Sequence, residues 1–508
     1  MDIPPFMTFL VALLVSLIIV RLAIHAAPIL GVMDEPTGHK THQHPIPYVG
    51  GFGVMGALIV FMLLNGWISG FTDPQALLAF AGCATLLFVT GLADDRWNLS
   101  FRLRLIIETV AALLMIWGTG VYLVDLGELW PGVTATLGLL AIPVTIFGLL
   151  SITNALNMID GVDGLSGSLA LVSLGLLATV AFLSGTHAAS LLLAITLAGG
   201  LLGFLYFNLR VFGRRRADVF LGDNGSILLG FMLGWLFIEL SQGERAAMTP
   251  VTALYFFSLP LFDSLTAITR RLWLGRSPFH PDRSHLHHLF LAAGASVETT
   301  VHLLVGLHLT IGLIGLAGLL TGAPEWLMFA LFLSFYGLYA MVVWRPWRFV
   351  PATRRLLVRA GFILKHGTGV FIGHLDPKDL DGVLAQVAEV LIPKSTVRIC
   401  RQEMPAGERA RLFVVVDFGS WYEARPALSR LRRRLSLLDR VYEVRQYIER
   451  DPAHDPRLQR CQTPIHRRRA DRRTLHPVRE LYRFQQPEAP AGCPLPKRLQ
   501  LSLDEALG

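Results

Sequence analysis

Runs of about 20 apolar residues, each long enough to cross a bilayer, alternate with short polar loops through the first two-thirds of the chain. Hydropathy gives about eleven such stretches. They cover 4–31, 48–70, 76–93, 102–122, 131–152, 167–184, 188–208, 226–240, 249–268, 298–320 and 325–344. None carries a charge near its middle, which argues against an ion or substrate pathway through the midplane. The loops fall into two alternating sets. One is poor in Lys and Arg and lies around Asp73, Asp125 and Glu128, His187, Glu244 and Arg245, and Glu325. The other holds Lys40; Arg96, Arg102 and Arg104; Arg210 with Arg214, Arg215 and Arg216; and Arg270, Arg271, Arg276 and Arg283. The positive-inside rule makes this second set cytoplasmic. An odd number of spans then puts the N-terminus outside and the C-terminus in the cytoplasm. The opening MDIPPFMTFL has no basic stretch before its apolar run, so a retained first span is expected, not a cleaved signal.

After Trp344 the pattern changes. Arg345-Pro346-Trp347-Arg348 ends a membrane part of residues 1–345. Alternating, β-branched segments predict strands at about 369–375, 395–402, 411–418 and 440–448, and a 3.6-residue period predicts helices at 377–391 and 420–437. The order βαββαβ predicts a ferredoxin-like cytoplasmic α/β domain over 366–450. Residues 451–508 are rich in Arg and Pro, with His466-Arg467-Arg468-Arg469 and Arg472-Arg473; a disordered basic tail, or one lying near anionic headgroups, is expected.

Composition agrees with this division. The chain of 508 residues is 53% hydrophobic and 16% charged, with mean hydropathy +0.51. A soluble chain carries about a quarter charged residues, so an ordinary soluble class is excluded. Cys83, Cys400, Cys461 and Cys493 form no paired motif, and neither a disulfide framework nor a zinc site is expected. The net charge of +8 sits in the basic loops and the tail, and no nucleic-acid partner is expected.

The chemistry stands at the boundaries of the apolar stretches. Asp94, Asp95, Asp160, Asp163 and Asp223 all fall in the cytoplasmic set, although carboxylates are rare beside hydrocarbon without a reason. In Asp94-Asp95-Arg96, neighbouring helical side chains point about 100° apart, so one acid can face a metal and the other a reacting group. Asn154, Asn157 and Asp160 share a helical face by their i, i+3 spacing. Gly161 and Gly164 around Asp163 break the helix and let backbone amides approach an anion. Gly222-Asp223-Asn224-Gly225-Ser226 directly precedes an apolar run. There Asp223 suits a cation and Ser226 a helix cap. Magnesium takes only one or two protein carboxylates and fills its shell with water and phosphate oxygens. His285-Leu286-His287-His288 lacks both a Cys and the helical i, i+4 pair that zinc favours, and its basic neighbours Arg276 and Arg283 favour phosphate. Asp34-Glu35-Pro36, followed by Lys40 and His42, reads alone as a loop.

Taken together, these motifs resemble the polyprenyl-phosphate N-acetylhexosamine-1-phosphate transferases over roughly residues 1–345. The segment from Ser277 to His288 looks closer to the N-acetylglucosamine branch than to the peptidoglycan branch. The resemblance implies a multi-pass protein of the bacterial inner membrane. It implies attack by undecaprenyl phosphate on the β-phosphorus of a UDP-N-acetylamino sugar, with UMP leaving and a cell-surface polysaccharide such as O-antigen begun. Magnesium is the implied cofactor, with manganese as its substitute. Asp223 is expected to bind the metal, with Asp94 or Asp95 as base or second metal contact. Asn154, Asn157, Asp160 and Asp163 are expected to line the nucleotide–metal site. Arg283, His285, His287 and His288 are expected to hold the diphosphate, and Lys40 and His42 the lipid phosphate or the nucleotide. Membrane lipid is a further partner, and a homodimer is the assembly to test. The nearest alternatives are the same chemistry on N-acetylgalactosamine, N-acetylfucosamine or N-acetylquinovosamine, and a membrane sensor or scaffold acting through the C-terminal domain. A transporter predicts internal repeats and polar midplane helices, neither of which the sequence carries.

Overall fold

In the computed structural model, residues 4–34, 45–68, 74–210, 214, 216–275, 277 and 285–359 are described, followed by 368–375, 380–388, 396–402, 411–417, 430–431, 443–448 and 478–485. Two compact units share the chain, one of them covering 1–291 and 297–350.

The first unit is helical, because a backbone inside hydrocarbon must satisfy its polar groups within its own segment. Helix α1 (Pro5–Leu30) leads through a short ladder, β1 (Met33–Asp34) with β2 (Ile46–Pro47), to α2 (Gly51–Ile68), α3 (Pro74–Trp97) and α4 (Phe101–Thr119). A hairpin of β3 (Asp125–Trp130) and β4 (Val133–Thr136) precedes α5 (Ala141–Ile159), α6 (Leu165–Ser184), α7 (Ala188–Asn208) and α8 (Gly222–Ser241). Then come α9 (Pro250–Phe256), α10 (Ser258–Trp273), α11 (Leu286–Ala293), α12 (Val297–Leu320) and α13 (Glu325–Trp344); α14 (Pro346–Arg359) spans the boundary at residue 350.

Small residues decide the packing. Thr8, Ala12 and Ser16 are buried on α1, and Ser16 Oγ donates to the Gly200 carbonyl of α7 at 2.6 Å. A Cβ at Gly203 would lie 2.7 Å from Ser16 Cβ, the close approach typical of helices packed in lipid. On the other side of α1, Phe6, Leu10, Leu14, Ile18 and Leu22 recur every fourth residue and are exposed, a stripe fit for acyl chains. Helix α8 sits at the centre, buried along nearly its whole length against α3, α5 and α2.

Among the described residues eight helices are long and apolar enough to cross a membrane, nine if α9 and α10 form one span, so this is a polytopic membrane protein. Each of the eleven stretches read from hydropathy contains a described helix, but three depart from expectation. The stretch at 131–152 is shifted: its first residues form the β3–β4 hairpin, and the helical run starts at 138 and continues to Ile159. The hairpin is fastened by Gln242, whose Oε1 accepts from the Val124 N–H at 2.8 Å, and by Glu325, whose Oε2 accepts from the Glu128 N–H at 2.9 Å. The stretch at 249–268 is broken at Phe257 and bends by 85°. The freed Phe256 carbonyl accepts from Ser173 Oγ at 2.6 Å, and the buried His308 ring bridges Ser173 and Ser258 at 3.2 Å each. In α4, Arg102, Arg104 and Glu108 dilute the apolar run.

The second unit contains an antiparallel five-stranded sheet in the order β8-β5-β7-β6-β9, built from β5 (Thr368–Leu375), β6 (Thr396–Gln402), β7 (Arg411–Asp417), β8 (Glu443–Ile448) and β9 (Val478–Gln485). Helix α15 (Leu380–Ala388) lies between β5 and β6 in the chain; Val383, Leu384 and Val387 are buried, as are Val397, Val414 and Val416 of the strands. The strands read from sequence coincide with β5 to β8. The helix expected at 420–437 falls almost entirely outside the described residues. Within the stretch expected to be a disordered basic tail, β9 forms and pairs with β6. Its alternation of Val478, Tyr482 and Phe484 was masked by the Arg-rich composition around it.

Candidate active site

Several helix ends meet on one face of the first unit. Helix α3 ends there with Asp94 and Asp95, α4 starts there with Arg104, α5 brings Asn157, the α5–α6 turn brings Asp160 and Asp163, and α8 begins there with Asp223. Glycines permit the convergence. A methyl at Gly91 of α3 would collide with the backbone of Asp223 and Asn224, and one at Gly51 of α2 with the Asn224 side chain.

Asp95 caps α8 from a neighbouring helix. Its Oδ1 accepts from the Asp223 N–H at 2.8 Å, and its Oδ2 accepts from the Asn224 N–H at 3.1 Å and from Asn224 Nδ2 at 2.5 Å. The turn that presents these amides needs Gly222 at φ +74°. Asp94 is 5% exposed; its Oδ1 accepts from the Leu99 N–H and its Oδ2 from Arg104, both at 2.6 Å. The same guanidinium lies 3.7 Å from Asp223 Oδ2, and the Asp223 carboxyl is within hydrogen-bonding reach of Asp94. Asp223 Oδ1 accepts from the Asn157 carboxamide, which also donates to Ser226 Oγ at 2.9 Å. Asp94 and Asp223 thus flank one guanidinium, and Asp95 adds a third carboxyl against the start of α8.

Asp160 accepts from the Ser166 hydroxyl. Burial, reinforced by Asp95 and Asp163, pushes its carboxyl up to about 6. The raised value means that stability from the protonated form is complete below the ordinary value near 3.8 and lost as pH rises through about 6. Asp160→Asn should therefore melt at a higher temperature than wild type at pH 8 in metal-free detergent, and at the same temperature at pH 4. Equal melting at both pH values would contradict a buried charge here. Asp163 holds the turn in place: its Oδ2 accepts from Arg210 Nε at 2.7 Å and the Ala217 N–H at 3.2 Å.

The histidines approach from the other side. His285 Nδ1 is 2.6 Å from Asp263 Oδ2. His287 is 2% exposed, and its Nε2 has no hydrogen-bond partner among the described residues. A Cβ at Gly161 would lie 3.2 Å from that nitrogen, which places His287 against the Asp160–Gly161 turn. Burial, then His288 with its ring 4.2 Å away, pulls the His287 imidazole down to about 3, so it is neutral at pH 7.

The structure therefore brings Asp94, Asp95, Asn157, Asp160, Asp223 and His287 to one region, with His285 and His288 beside it. Asn154 lies about a turn deeper, donating to Glu108 Oε2 at 2.7 Å and to the Leu150 carbonyl at 2.9 Å. Lys40, His42 and Arg283 lie outside the described residues. Sequence reasoning missed Glu108, Asp263, Asn224 and the Tyr48–Asp34 hydrogen bond. Glu108 and Asp263 add to the reading that no stretch carries a charge near its middle: both lie off-centre inside the apolar stretches 102–122 and 249–268 and are buried, at 0% and 3% exposure. The signal was available, since a carboxylate inside such a stretch is costly and marks function.

Among the described residues no group of three or more His, Cys, Asp or Glu side chains is arranged to hold a metal ion. A magnesium ion needs fewer, and paired carboxylates with surplus negative charge suit a hard divalent cation.

Fold and site define a class: a polytopic membrane protein whose carboxylate-rich polar site opens at one end of its helices. Comparison narrows this. Residues 77–241 match Glycosyl transferase family 4. The chain is 35% identical over 336 residues to an undecaprenyl-phosphate alpha-N-acetylglucosaminyl 1-phosphate transferase of Yersinia pestis, covering 65% of this chain and 90% of that protein. It is 35% identical over 338 residues to the protein of that name from Escherichia coli K12, covering 65% and 89%. For the one from Haemophilus influenzae the figures are 34% over 357 residues, covering 70% and 97%. The chain belongs to the polyprenyl-phosphate N-acetylhexosamine-1-phosphate transferase family.

Proposed function

We propose that this protein transfers an N-acetylhexosamine 1-phosphate, foremost that of N-acetylglucosamine, from its UDP-sugar to undecaprenyl phosphate. UMP is released and a cell-surface polysaccharide such as O-antigen is begun. The observation that carries this reading is the Asp94–Arg104–Asp223–Asn157 cluster at converging helix ends, where a lipid phosphate and a water-soluble nucleotide can meet. A phosphate oxygen of the lipid attacks the β-phosphorus, and the bond to the UMP oxygen breaks. The lipid phosphate is largely ionised at pH 7, so little base strength is required. A magnesium ion, when bound, neutralises charge on the diphosphate as it passes to UMP. Asp223 would hold it, since its carboxylate is more exposed than that of Asp94, the acid with which it shares Arg104. Asp95 serves by fixing the start of α8 and would add charge beside a bound metal; Asp94 sets Arg104 against the developing charge. Asn157 orients Asp223, and Asp160 lines the same site.

His287 supplies a neutral hydrogen-bonding nitrogen to the diphosphate, beside the backbone of Gly161. His287→Ala should raise the KM for the UDP-sugar about tenfold, the loss of one hydrogen bond worth roughly 1.4 kcal/mol. An unchanged KM in steady-state kinetics would remove His287 from the donor site.

The site face is read as cytoplasmic, in an inner membrane crossed eleven times: by the eight long helices, the bent α9–α10 pair, α2 and α4. This gives an outside N-terminus and a cytoplasmic C-terminus. The strand order β8-β5-β7-β6 fits a ferredoxin-like domain extended by β9. That domain is assigned no step of the reaction. Deleting residues 366–508 should leave at least half the turnover per folded molecule in membranes, and loss of more than nine-tenths would make the domain part of the enzyme.

The test is UMP release by purified protein supplied with magnesium, undecaprenyl phosphate and each of a panel of UDP-N-acetylamino sugars. Release that requires the lipid phosphate supports the reading, and the donor with the highest kcat/KM names the sugar. A folded protein inert toward every donor would shift the function to sensing or scaffolding through the C-terminal domain.

A further inference from the structure

We propose that Asp263 is a positioning residue that fixes the tautomer of His285 and, through it, the place of the histidine segment beside the carboxylates. The inference rests on the reaction proposed above and adds a residue to it. Asp263 stands on α10 and is 3% exposed. Its Oδ2 lies 2.6 Å from His285 Nδ1, and its Oδ1 accepts from the Tyr339 hydroxyl of α13 at 2.5 Å and from the Leu286 N–H at 3.3 Å. One buried carboxylate therefore ties α10, the start of α11 and α13 together. A buried charge demands such partners, because an unpaired one is strongly destabilising.

An ionised carboxylate only accepts, so its contact with Nδ1 requires the His285 proton on Nδ1. In the neutral ring the lone pair is then on Nε2. The bond to the Leu286 amide sets where α11 begins, and His287 follows two residues after His285 with its ring parallel, 5.5 Å away and at 5°. His287 Nε2, buried and without a partner among the described residues, faces Gly161 of the α5–α6 turn. Asp263 touches none of the carboxylates at the helix ends; its influence reaches the reacting groups through His285 and His287.

The test combines histidine NMR with kinetics on the full-length protein in lipid nanodiscs. In protein labelled with nitrogen-15 at histidine, the His285 signals are assigned by their disappearance in His285→Gln. Expected for wild type is a proton on Nδ1 of His285. Expected for Asp263→Asn is a changed His285 signal, a kcat per folded molecule lowered about a hundredfold, and a raised KM for the UDP-sugar with the KM for undecaprenyl phosphate unchanged. Tyr339→Phe keeps the Asp263–His285 pair, so its signal should hold and its kcat should fall less than fivefold. A wild-type His285 protonated only on Nε2 overturns the proposal even if Asp263→Asn does not fold. So does an Asp263→Asn protein whose kcat and KM per folded molecule equal those of wild type. Absence of turnover in wild type with every donor would refute the reaction itself, while the tautomer of His285 would still decide the role of Asp263 in placing it.

Discussion

Asp223→Asn should reduce turnover by about a thousandfold or more while the protein stays folded. The substitution preserves size and shape. An asparagine Oδ1 can still accept from the Asn157 carboxamide, and the backbone N–H of residue 223 still donates to Asp95, so the start of α8 keeps its cap. What disappears is the negative charge that faces Arg104 and would bind the cation. Transfer between two anions depends on neutralising charge in the transition state, and loss of that electrostatic stabilisation appears in kcat rather than in folding. Radiochemical turnover, paired with a thermal melt in detergent, checks this. An Asp223→Asn protein with a wild-type melt and more than a tenth of wild-type kcat would place the metal elsewhere.

The largest structural effect is expected at Gly91. Gly91→Ala puts a methyl onto the backbone of Asp223 and Asn224, which has no rotamer by which to move away. Overpacking of this kind costs about 1–3 kcal/mol. Here the atoms displaced carry the Asp223 carboxylate, proposed to bind the metal, and the amides that Asp95 caps. Turnover per folded molecule should fall at least a hundredfold and the melting temperature should drop. Gly82 supplies the control on the same helix, since a methyl there meets nothing within 4 Å. Gly82→Ala should retain full activity and gain slightly in helix stability. Equal behaviour of the two variants in turnover and melting assays would contradict a close approach of α3 and α8 at the site.

Legibility in the sequence followed the physics of each signal. Long apolar runs such as Leu165–Ser184 report spans directly, because a bilayer demands their length and helical form. The start of α5 was set too early because Val133 and Ala135, at the front of the 131–152 stretch, are apolar yet belong to the hairpin strand β4; hydropathy counts side chains and not the turn at Gly132. The bend at Phe257 was invisible for a related reason, since Ser173 and His308, which satisfy the break, are remote in the chain. In the site, Asp94, Asp95, Asp160 and Asp223 stood out because carboxylates at the edges of apolar runs need a cause. Their division of labour did not. That Asp95 caps α8 while Asp94 holds Arg104 depends on which face of α3 each occupies against its neighbours, a tertiary fact. Glu108 and Asp263 did not stand out in the sequence, although burial makes both informative.

The central claim is transfer of a sugar together with its phosphate. It is tested most directly with a UDP-N-acetylglucosamine carrying one radioactive label in the β-phosphate and another in the sugar. After incubation with purified protein, magnesium and undecaprenyl phosphate, the lipid is extracted and both labels are counted. The account predicts both labels in the lipid in a one-to-one ratio, with an equal amount of UMP in the aqueous phase, and both transfer and release lowered about a thousandfold or more in Asp223→Asn. Sugar label in the lipid without phosphate label, accompanied by UDP, would contradict it.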